Sequence, residues 1–415
     1  MRRWRNTFEN DCVSILFGHP TGNQGAHQTA LAYLNAGLLA AYCVTWIPSA
    51  QTIRMLQRLP GLHRSAARLQ RRHFAPLAEA PTIQGLAGEW PRLFQRLLGR
   101  DDESFAYAAN DWLMAAMAKA CARPDVRAVH AYEDCSLRQF EEAKRRGKAC
   151  IYNLPIGYHP AWQARRDELV RRYADWLPEG DAGTSRWERP AQKQRELELA
   201  DLVFVASNFV RQTLDEHAAG KRVVLTPYGI DADFWQPAAR PPASGPLRFI
   251  CAGHASIRKG VPWLLDAWQQ AGLKDAQLEL VGPWQLAKNR RFALPASVVH
   301  MPPCSREELR ARYQAADVLV FPSFFEGFGM VLLEGMACGL PAIATDATAG
   351  PDVLTDASGR VIPAGATEQL VEALRWFAAH RDRLPAMAGA ALTVAQGHTW
   401  ERYRQQVTAA VADFV

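Results

Sequence analysis

The feature that most constrains this chain is a repeated alternation of short apolar, β-branched runs with helical stretches. In the first half the runs are Val13 to Phe17, Tyr42 to Ile47, Val126 to His130, Ala149 to Asn153, Leu202 to Ala206 and Val223 to Thr226. In the second half they are Leu247 to Ala252, Gln277 to Val281, Ser297 to Met301, Asp317 to Phe321 and Pro341 to Thr345. Near-continuous apolar strands separated by helices are what a parallel sheet covered on both faces requires. The two series are divided by Trp235 to Pro246, WQPAARPPASGP, whose prolines cannot continue a helix or a central strand. A chain of 415 residues also exceeds what one core usually serves. The expectation is an α/β chain with two Rossmann-like parallel-sheet domains facing each other across a cleft: 1–235, a linker 236–246, and 247–398. A final helix, 399–415, is expected to cross back to the first domain.

Several segments are ambiguous at this level. Ala30 to Ile47 is long and apolar, but Tyr33, Asn35, Gly37, Tyr42 and Thr45 interrupt it, so it reads as a buried helix followed by a buried strand, not a membrane span. The region from Gln51 to Cys121, broken by four prolines, reads as inserted helices. Leu177 to Pro190 reads as a surface loop. Ser305 and Glu308 predict a capping box at the helix starting at Arg306.

Eight cysteines without any Cys-x-x-Cys spacing point to reduced thiols and a reducing, cytoplasmic setting, and MRRWRNTFENDC lacks the apolar core of a secretory signal. The formal charge of +6 lies in the first half. No acid occurs between Asp11 and Glu79, where Arg54, Arg58, Arg64, Arg68, Arg71 and Arg72 fall. This Arg54–Arg72 stripe suits an anionic membrane surface, an anionic acceptor or simply a solvated helix face. Nucleic acid is not expected as a partner, since no aromatic-interleaved basic motif accompanies it.

The most informative segment is Ala316 to Gly339, ADVLVFPSFFEGFGMVLLEGMACG. A buried strand is followed by a loop, and Gly327, Phe328 and Gly329 open a helix. The first amides of a helix lack internal partners and favour an anion. Glu326 precedes that start and Glu334 lies inside the helix, roughly 7 Å further along at ~1.5 Å per residue. A diphosphate fits between them, with each carboxylate accepting hydrogen bonds from a diol. Two solvent-facing glutamates of an amphipathic helix would show the same spacing. A second cationic candidate, Arg258 and Lys259 before Gly260, follows the first strand of the same domain and opens another helix. In the first domain His19 to Gly25, HPTGNQG, forms a strand-to-helix turn in which Gly22 serves either a phosphate or the turn itself. Val129 to Ser136, VHAYEDCS, ends a strand. His130 and Tyr132, two apart, face the same way, both towards the cleft or both away from it.

Taken together these motifs resemble the family 4 glycosyltransferases, retaining enzymes of the GT-B fold. The resemblance is dense over Leu225 to Ile362 and rests on ASNF at 206–209, TPYGID at 226–231, RKG at 258–260, LVG at 280–282, EGFG with Glu334 eight residues after Glu326, and AGPDVLTDASGRVI at 349–362. It implies transfer of a sugar from a nucleotide-diphosphate sugar to an acceptor hydroxyl, in bacterial polysaccharide, lipopolysaccharide or glycolipid synthesis. It implies catalytic roles for Glu326, Lys259, Arg258 and His130. It implies donor binding by Gly22, Gly253, His254, Gly282, Gly327, Phe328, Gly329, Met330, Val331 and Glu334, and an acceptor side at Tyr132, Glu133 and Asn153. His254 stands where an Arg is common, and Asp352 stands where a Glu is common. No cofactor or metal is expected, because cations replace the metal as charge stabiliser and no Asp-x-Asp motif occurs. The partners implied are the nucleotide-sugar donor, a glycan or lipid-linked acceptor and the inner face of a membrane. The competing expectations are another GT-B-fold enzyme such as a sugar-nucleotide epimerase, and a non-catalytic sugar-nucleotide-binding protein.

Overall fold

The computed structural model describes residues 14–59, 72–89, 104–179, 188–238 and 245–414, with Ala66, Leu69 and Gln70 between the first two stretches. His63, Arg64, Arg68, Arg71, Cys12, most of the linker and the middle of the 177–190 loop lie outside the described residues.

The first half contains β1 (Ser14–Gly18), α1 (Gln24–Asn35), β2 (Leu39–Val44), α2 (Ala50–Arg58), β3 (Thr82–Gln84), α3 (Ser104–Ala120), β4 (Val126–Tyr132), α4 (Leu137–Arg145), β5 (Ala149–Leu154), α5 (His159–Arg172), α6 (Pro190–Leu199), β6 (Leu202–Val205), α7 (Asn208–Gln212) and β7 (Arg222–Leu225). The second half contains β8 (Leu247–Ala252), α8 (Val261–Ala271), β9 (Ala276–Val281), α9 (Lys288–Phe292), β10 (Val298–Met301), α10 (Arg306–Ala315), β11 (Val318–Phe321), α11 (Met330–Ala337), β12 (Ala342–Thr345), α12 (Gly350–Val353), β13 (Gly359–Ile362), α13 (Thr367–Ala379), α14 (Leu384–Gln396) and α15 (Trp400–Val411).

Two parallel sheets result. The first is ordered β3-β2-β1-β4-β5-β6-β7 and the second β10-β9-β8-β11-β12-β13. In both, the strand order reverses beside the first strand of the series, between β1 and β4 and between β8 and β11. This is the switch point at which an open α/β sheet presents its ligand site, at the carboxyl ends of the strands. The apolar segment Ala30 to Ile47 divides between α1 and the buried β2, as its interruptions predict. No described helix is long and apolar enough to cross a membrane. The capping box forms: Ser305 Oγ accepts from the Glu308 amide at 3.1 Å, and Glu308 Oε2 accepts from the Ser305 amide at 2.8 Å.

Two strands correct the sequence reading. Thr82–Gln84 lies inside the region expected to be helical, yet it pairs with β2 from Tyr42↔Thr82 to Val44↔Gln84. Gly359–Ile362 pairs with β12 at the opposite edge of the second sheet. Both are short edge strands with little buried face, so hydrophobic periodicity does not announce them.

The two halves exchange helices. α15 packs on α1 and places Trp400, Tyr403 and Val407 in the core of the first sheet. In the other direction α5 leaves the first sheet after β5, and Leu169 with the following Tyr173 is buried in the core of the second. These crossings fix the strand ends of the two sheets against one another.

Candidate active site

The loop after β11 is held from both sides. Phe324 packs against Trp263 and Tyr173, while Phe325 inserts between Trp162 and Phe209. The intervening backbone therefore has little freedom, and Glu326 follows with its amide donating to the Ala347 carbonyl at 3.1 Å. Glycine is required next for a steric reason: a Cβ at Gly327 would lie 1.8 Å from the Pro155 carbonyl oxygen, in the loop after β5. The Ser207 hydroxyl donates to the Gly327 carbonyl at 2.5 Å. Gly329 is left-handed at φ 88, and a Cβ there would lie 2.3 Å from the Phe321 ring. These glycines let the start of α11 sit on the seam between the halves. The amides of Phe328, Gly329, Met330 and Val331 donate no hydrogen bond among the described residues. Free amides at a helix start are what the expected anion site requires.

Glu326 lies beside both cations. Its Oε2 accepts from Lys259 Nζ and, at 3.2 Å, from Arg258 Nη1, which also donates to the Phe325 carbonyl at 2.8 Å. The Glu326 and Lys259 side chains are only 15% and 14% exposed, so their attraction is weakly screened. Burial pushes the Glu326 carboxyl up, but Lys259 and then Arg258 more than reverse this and hold it below the usual carboxylate range. Burial lowers the Lys259 ammonium, with Glu326 opposing. Two cations against one carboxylate leave a positive excess beside a turn of free amides.

The other residues expected on the donor side line the carboxyl ends of β8, β9 and β11, around a small pocket that includes Gly253, His254, Lys259, His300 and Phe321. Gly253 and Gly282 have φ of 136 and 138, and a Cβ at Gly282 would lie 2.1 Å from the Gly253 carbonyl oxygen. The two backbones touch, and only glycine permits it. His300 Nε2 bonds the Gly282 carbonyl at 2.8 Å. The His254 side chain is exposed in the cleft. Its pKa is lowered by partial burial and then by Lys259 and Arg258. Glu334 is half-buried, and its carboxylate makes no hydrogen bond or ion pair among the described residues. Burial pushes its carboxyl up to about 7, with Arg306 opposing.

On the first-sheet side, Gly22 is left-handed at φ 68, and its amide donates to His19 Nδ1 at 2.9 Å. The turn is thus closed by its own histidine, which burial holds far below its ordinary value, at about 3. His130 and Tyr132 do share a face, but it is the interior one. His130 is fully buried, its Nδ1 bonded to the Tyr33 hydroxyl at 2.8 Å, with the Phe17 and Phe204 rings 4.9 and 5.4 Å away. Burial alone takes its pKa to about 3. His130 is therefore a packing residue between β4 and α1, which corrects its expected catalytic role. Tyr132, 4% exposed, follows it inward, with its ring nearly parallel to that of His130. Asn153 is buried in β5, and its carbonyl accepts from the Glu133 amide at 3.0 Å. Of the expected acceptor side, only Glu133 stands beyond the strand end.

Asp352 also departs from the expectation. Its carboxylate accepts from the Asn208 amide at 2.8 Å and from the Asn208 side chain, joining α12 of the second half to α7 of the first. It is engaged in holding the halves together. The sequence reading quoted Ser207 and Asn208 only within the ASNF motif and gave them and Phe325 no role, because those roles depend on which distant loop they meet.

Comparison with known proteins agrees with this geometry. Residues 246–380, spanning the whole second sheet, match the family described as glycosyl transferases group 1. The D-inositol 3-phosphate glycosyltransferase of Pseudarthrobacter chlorophenolicus is 31% identical over 186 residues, 38% of this chain and 44% of that protein. The O-antigen chain mannosyltransferase B of Escherichia coli is 29% identical over 182 residues, 39% of this chain and 47% of that protein. The alignments thus span less than half the length of these curated relatives. The fold as a whole is shared more widely. Sucrose-phosphate synthase from Thermosynechococcus elongatus superposes with a TM-score of 0.66 at 18% identity, covering 96% of this chain and 98% of that one. Anabaena Alr3699/HepE in complex with UDP gives 0.63 at 14%, covering 97% and 100%. The architecture is the GT-B fold of glycosyltransferases.

Proposed function

We propose that this chain is a retaining glycosyltransferase that moves a sugar from a nucleotide-diphosphate sugar to an acceptor hydroxyl in bacterial glycan synthesis. The observation that carries this reading is the Glu326, Lys259 and Arg258 cluster beside the unbonded amides at the start of α11. The donor's diphosphate lies on those amides and on the two cations. Gly253 and Gly282 leave the base in contact with backbone, and Glu334 receives the ribose diol. Glu326, released in part from Lys259 as the diphosphate arrives, orients the transferred sugar.

Transfer is a front-face displacement. The acceptor oxygen bonds to the anomeric carbon as the bond from that carbon to the phosphate oxygen breaks, and the acceptor proton passes to the departing phosphate. The developing diphosphate charge meets preorganised cations and amides, which is the dominant means of lowering such a barrier. These cations take the part a divalent metal plays elsewhere, so activity is expected to survive chelation by EDTA. Thermal-shift screening of UDP-, GDP- and ADP-sugars tests donor binding, since a ligand bound only by the native state raises Tm. Anomeric analysis of the product then tests retention. No stabilisation by any of the three removes the reading.

The cytoplasmic face of a membrane is the setting we propose. In α2 and just after it, Met55 is 57% and Leu59 43% exposed beside the exposed Arg54 and Arg58. Apolar tips among cations suit an anionic bilayer surface. Co-sedimentation with anionic but not neutral vesicles is expected, and equal binding to both removes the membrane assignment.

A further inference from the structure

The carboxyl ends of β4 and β5 carry a second polar cluster that the donor chemistry does not use. Lys193, in the first turns of α6, reaches Glu133 Oε2 at 3.1 Å and Asp134 Oδ2 at 3.3 Å. The remaining oxygen of each carboxylate, Glu133 Oε1 and Asp134 Oδ1, is buried and accepts no hydrogen bond of ordinary length, with the equally unpartnered Tyr152 hydroxyl standing beside Glu133. The Glu133 side chain is 5% exposed and that of Asp134 23%, so the cluster is roofed at Glu133 and reached from Asp134. His159, which opens α5, adds two buried ring nitrogens without partners. Burial, then Lys193 and His217, holds its pKa down at about 4, so at neutral pH one nitrogen accepts and the other donates.

Glu196, on the same helix as Lys193, provides a contrast. It accepts from the amides of Asp134 at 2.9 Å, Ser136 at 2.9 Å and Leu137 at 3.2 Å, and from Gln192 at 2.9 Å. That carboxylate is fully used in holding the strand end and the start of α4. Its neighbours are left half-used, although an unpaired buried acceptor is costly. Asp134 is moreover left-handed at φ 69, the only non-glycine residue with positive φ among the described residues. Such strain gathers at ligand sites. The loop from β5 to His159 backs onto the Glu326 loop: Gly157 lies against Phe325, directly before Glu326, and Pro155 against Gly327, directly after it.

We infer that Glu133, Asp134, Lys193 and His159 form the acceptor subsite, and that the acceptor presents it with uncharged hydroxyls or an amine, not with a phosphate. The inference rests on the glycosyltransferase reading above. The two free carboxylate oxygens need donors, which a sugar diol or an ammonium supplies. Lys193 is committed to both carboxylates, and burial pushes the Glu133 carboxyl up to about 7, so near neutral pH it stands partly as an acid that can also donate. A phosphate here meets the Asp134 carboxylate and no free cation.

The test uses the full chain and whichever of the UDP-, GDP- or ADP-sugars stabilises it, with nucleotide release measured against methyl hexosides, glucosamine and glucose 6-phosphate. The neutral or amino sugars are expected to raise release above hydrolysis, and the phosphorylated sugar is not. Glu133→Gln is expected to raise the acceptor KM at least tenfold with the donor KM within twofold. Asp134→Gly relieves the left-handed strain, so it is expected to raise Tm while also raising the acceptor KM. A purely structural network predicts an unchanged acceptor KM for the second variant, whatever its Tm. Unchanged acceptor KM in both variants, preference for glucose 6-phosphate, or no stimulation by any neutral or amino sugar overturns the inference. Absence of binding by every nucleotide sugar instead removes the glycosyltransferase reading, and this inference with it.

Discussion

The two strand-end surfaces that meet at the seam are built differently. On the second sheet the chemistry comes from two continuous stretches, Arg258–Gly260 and Glu326–Glu334, each a strand-to-helix turn whose glycines admit backbone and anion. On the first sheet the corresponding edge is closed by aromatic rings around His130, and its polar groups come from three separate elements, at Glu133, His159 and Lys193. Under the function proposed above, the difference matches what each side would recognise. A diphosphate would be met by the amides of a helix start with two cations beside it. An acceptor would be met by side chains brought together from separate elements.

The comparison breaks first at Lys259. Replacement by Ala removes one of two cations and leaves the Glu326 carboxylate, 15% exposed, with Arg258 alone. Loss of one such preorganised group costs roughly a hundredfold to a thousandfold in kcat. Glu326→Ala is expected to fall as far while binding the donor nucleotide more nearly normally, because the cations remain. Turnover near the parent level in either variant ends the assignment of that cluster to the donor.

Next comes the seam itself. Gly327→Ala places a methyl against the Pro155 carbonyl, and that oxygen is backbone with no rotamer to yield. The halves must part or the loop must shift, and a misplacement of about 1 Å can cost a hundredfold in rate. The expected result is a fall in kcat of at least tenfold with the first sheet still folded, read by steady-state kinetics alongside Tm. Full activity in this variant shows that the halves do not work in contact.

A smaller effect distinguishes the two glutamates. Glu326 is kept ionised by its cations, whereas burial raises Glu334 to about 7. For Glu334 the neutral form is the one that folding favours. Its stabilising contribution is full below the unfolded carboxylate pKa and is lost as pH rises from there through about 7. Donor binding runs the other way, because a ribose diol needs the carboxylate. With only the ionised fraction competent, donor affinity is expected to rise about tenfold from pH 6 to pH 8. Glu334→Gln should flatten that rise. A profile equally steep in the variant assigns the titration elsewhere, His254 being another titratable group in the cleft.

Much of this was legible in the sequence on the donor side and little on the acceptor side, for a physical reason. Gly327, Gly329, Glu326 and Glu334 lie within one strand-turn-helix unit, so spacing alone determines their relation. Arg258 and Lys259 meet Glu326 because β8 and β11 are neighbours, which the alternation of strands and helices already implies. By contrast the crossing of α5 into the second core, the Asp352–Asn208 join and the Lys193 bridge depend on pairs more than fifty residues apart. The edge strands Thr82–Gln84 and Gly359–Ile362 escaped because so few of their residues face a core.

His130 gives the mildest effect and the sharpest contrast. Strand alternation fixes that His130 and Tyr132 share a face, but not which face, and the structure turns both onto α1. His130→Leu keeps the volume near that of the ring and removes the bond to Tyr33, leaving a fully buried hydroxyl without a partner. An unpaired buried group of that kind costs roughly 1–3 kcal/mol, so Tm should fall by several degrees while kcat and both KM values stay within twofold. The Tyr33→Phe, His130→Leu double variant removes both polar partners and should recover most of the lost stability, as deletion of a whole buried pair is often nearly neutral. A large loss of kcat in folded His130→Leu protein, not repaired in the double variant, returns the histidine to the chemistry. It also requires the aromatic edge of the first sheet to open during turnover.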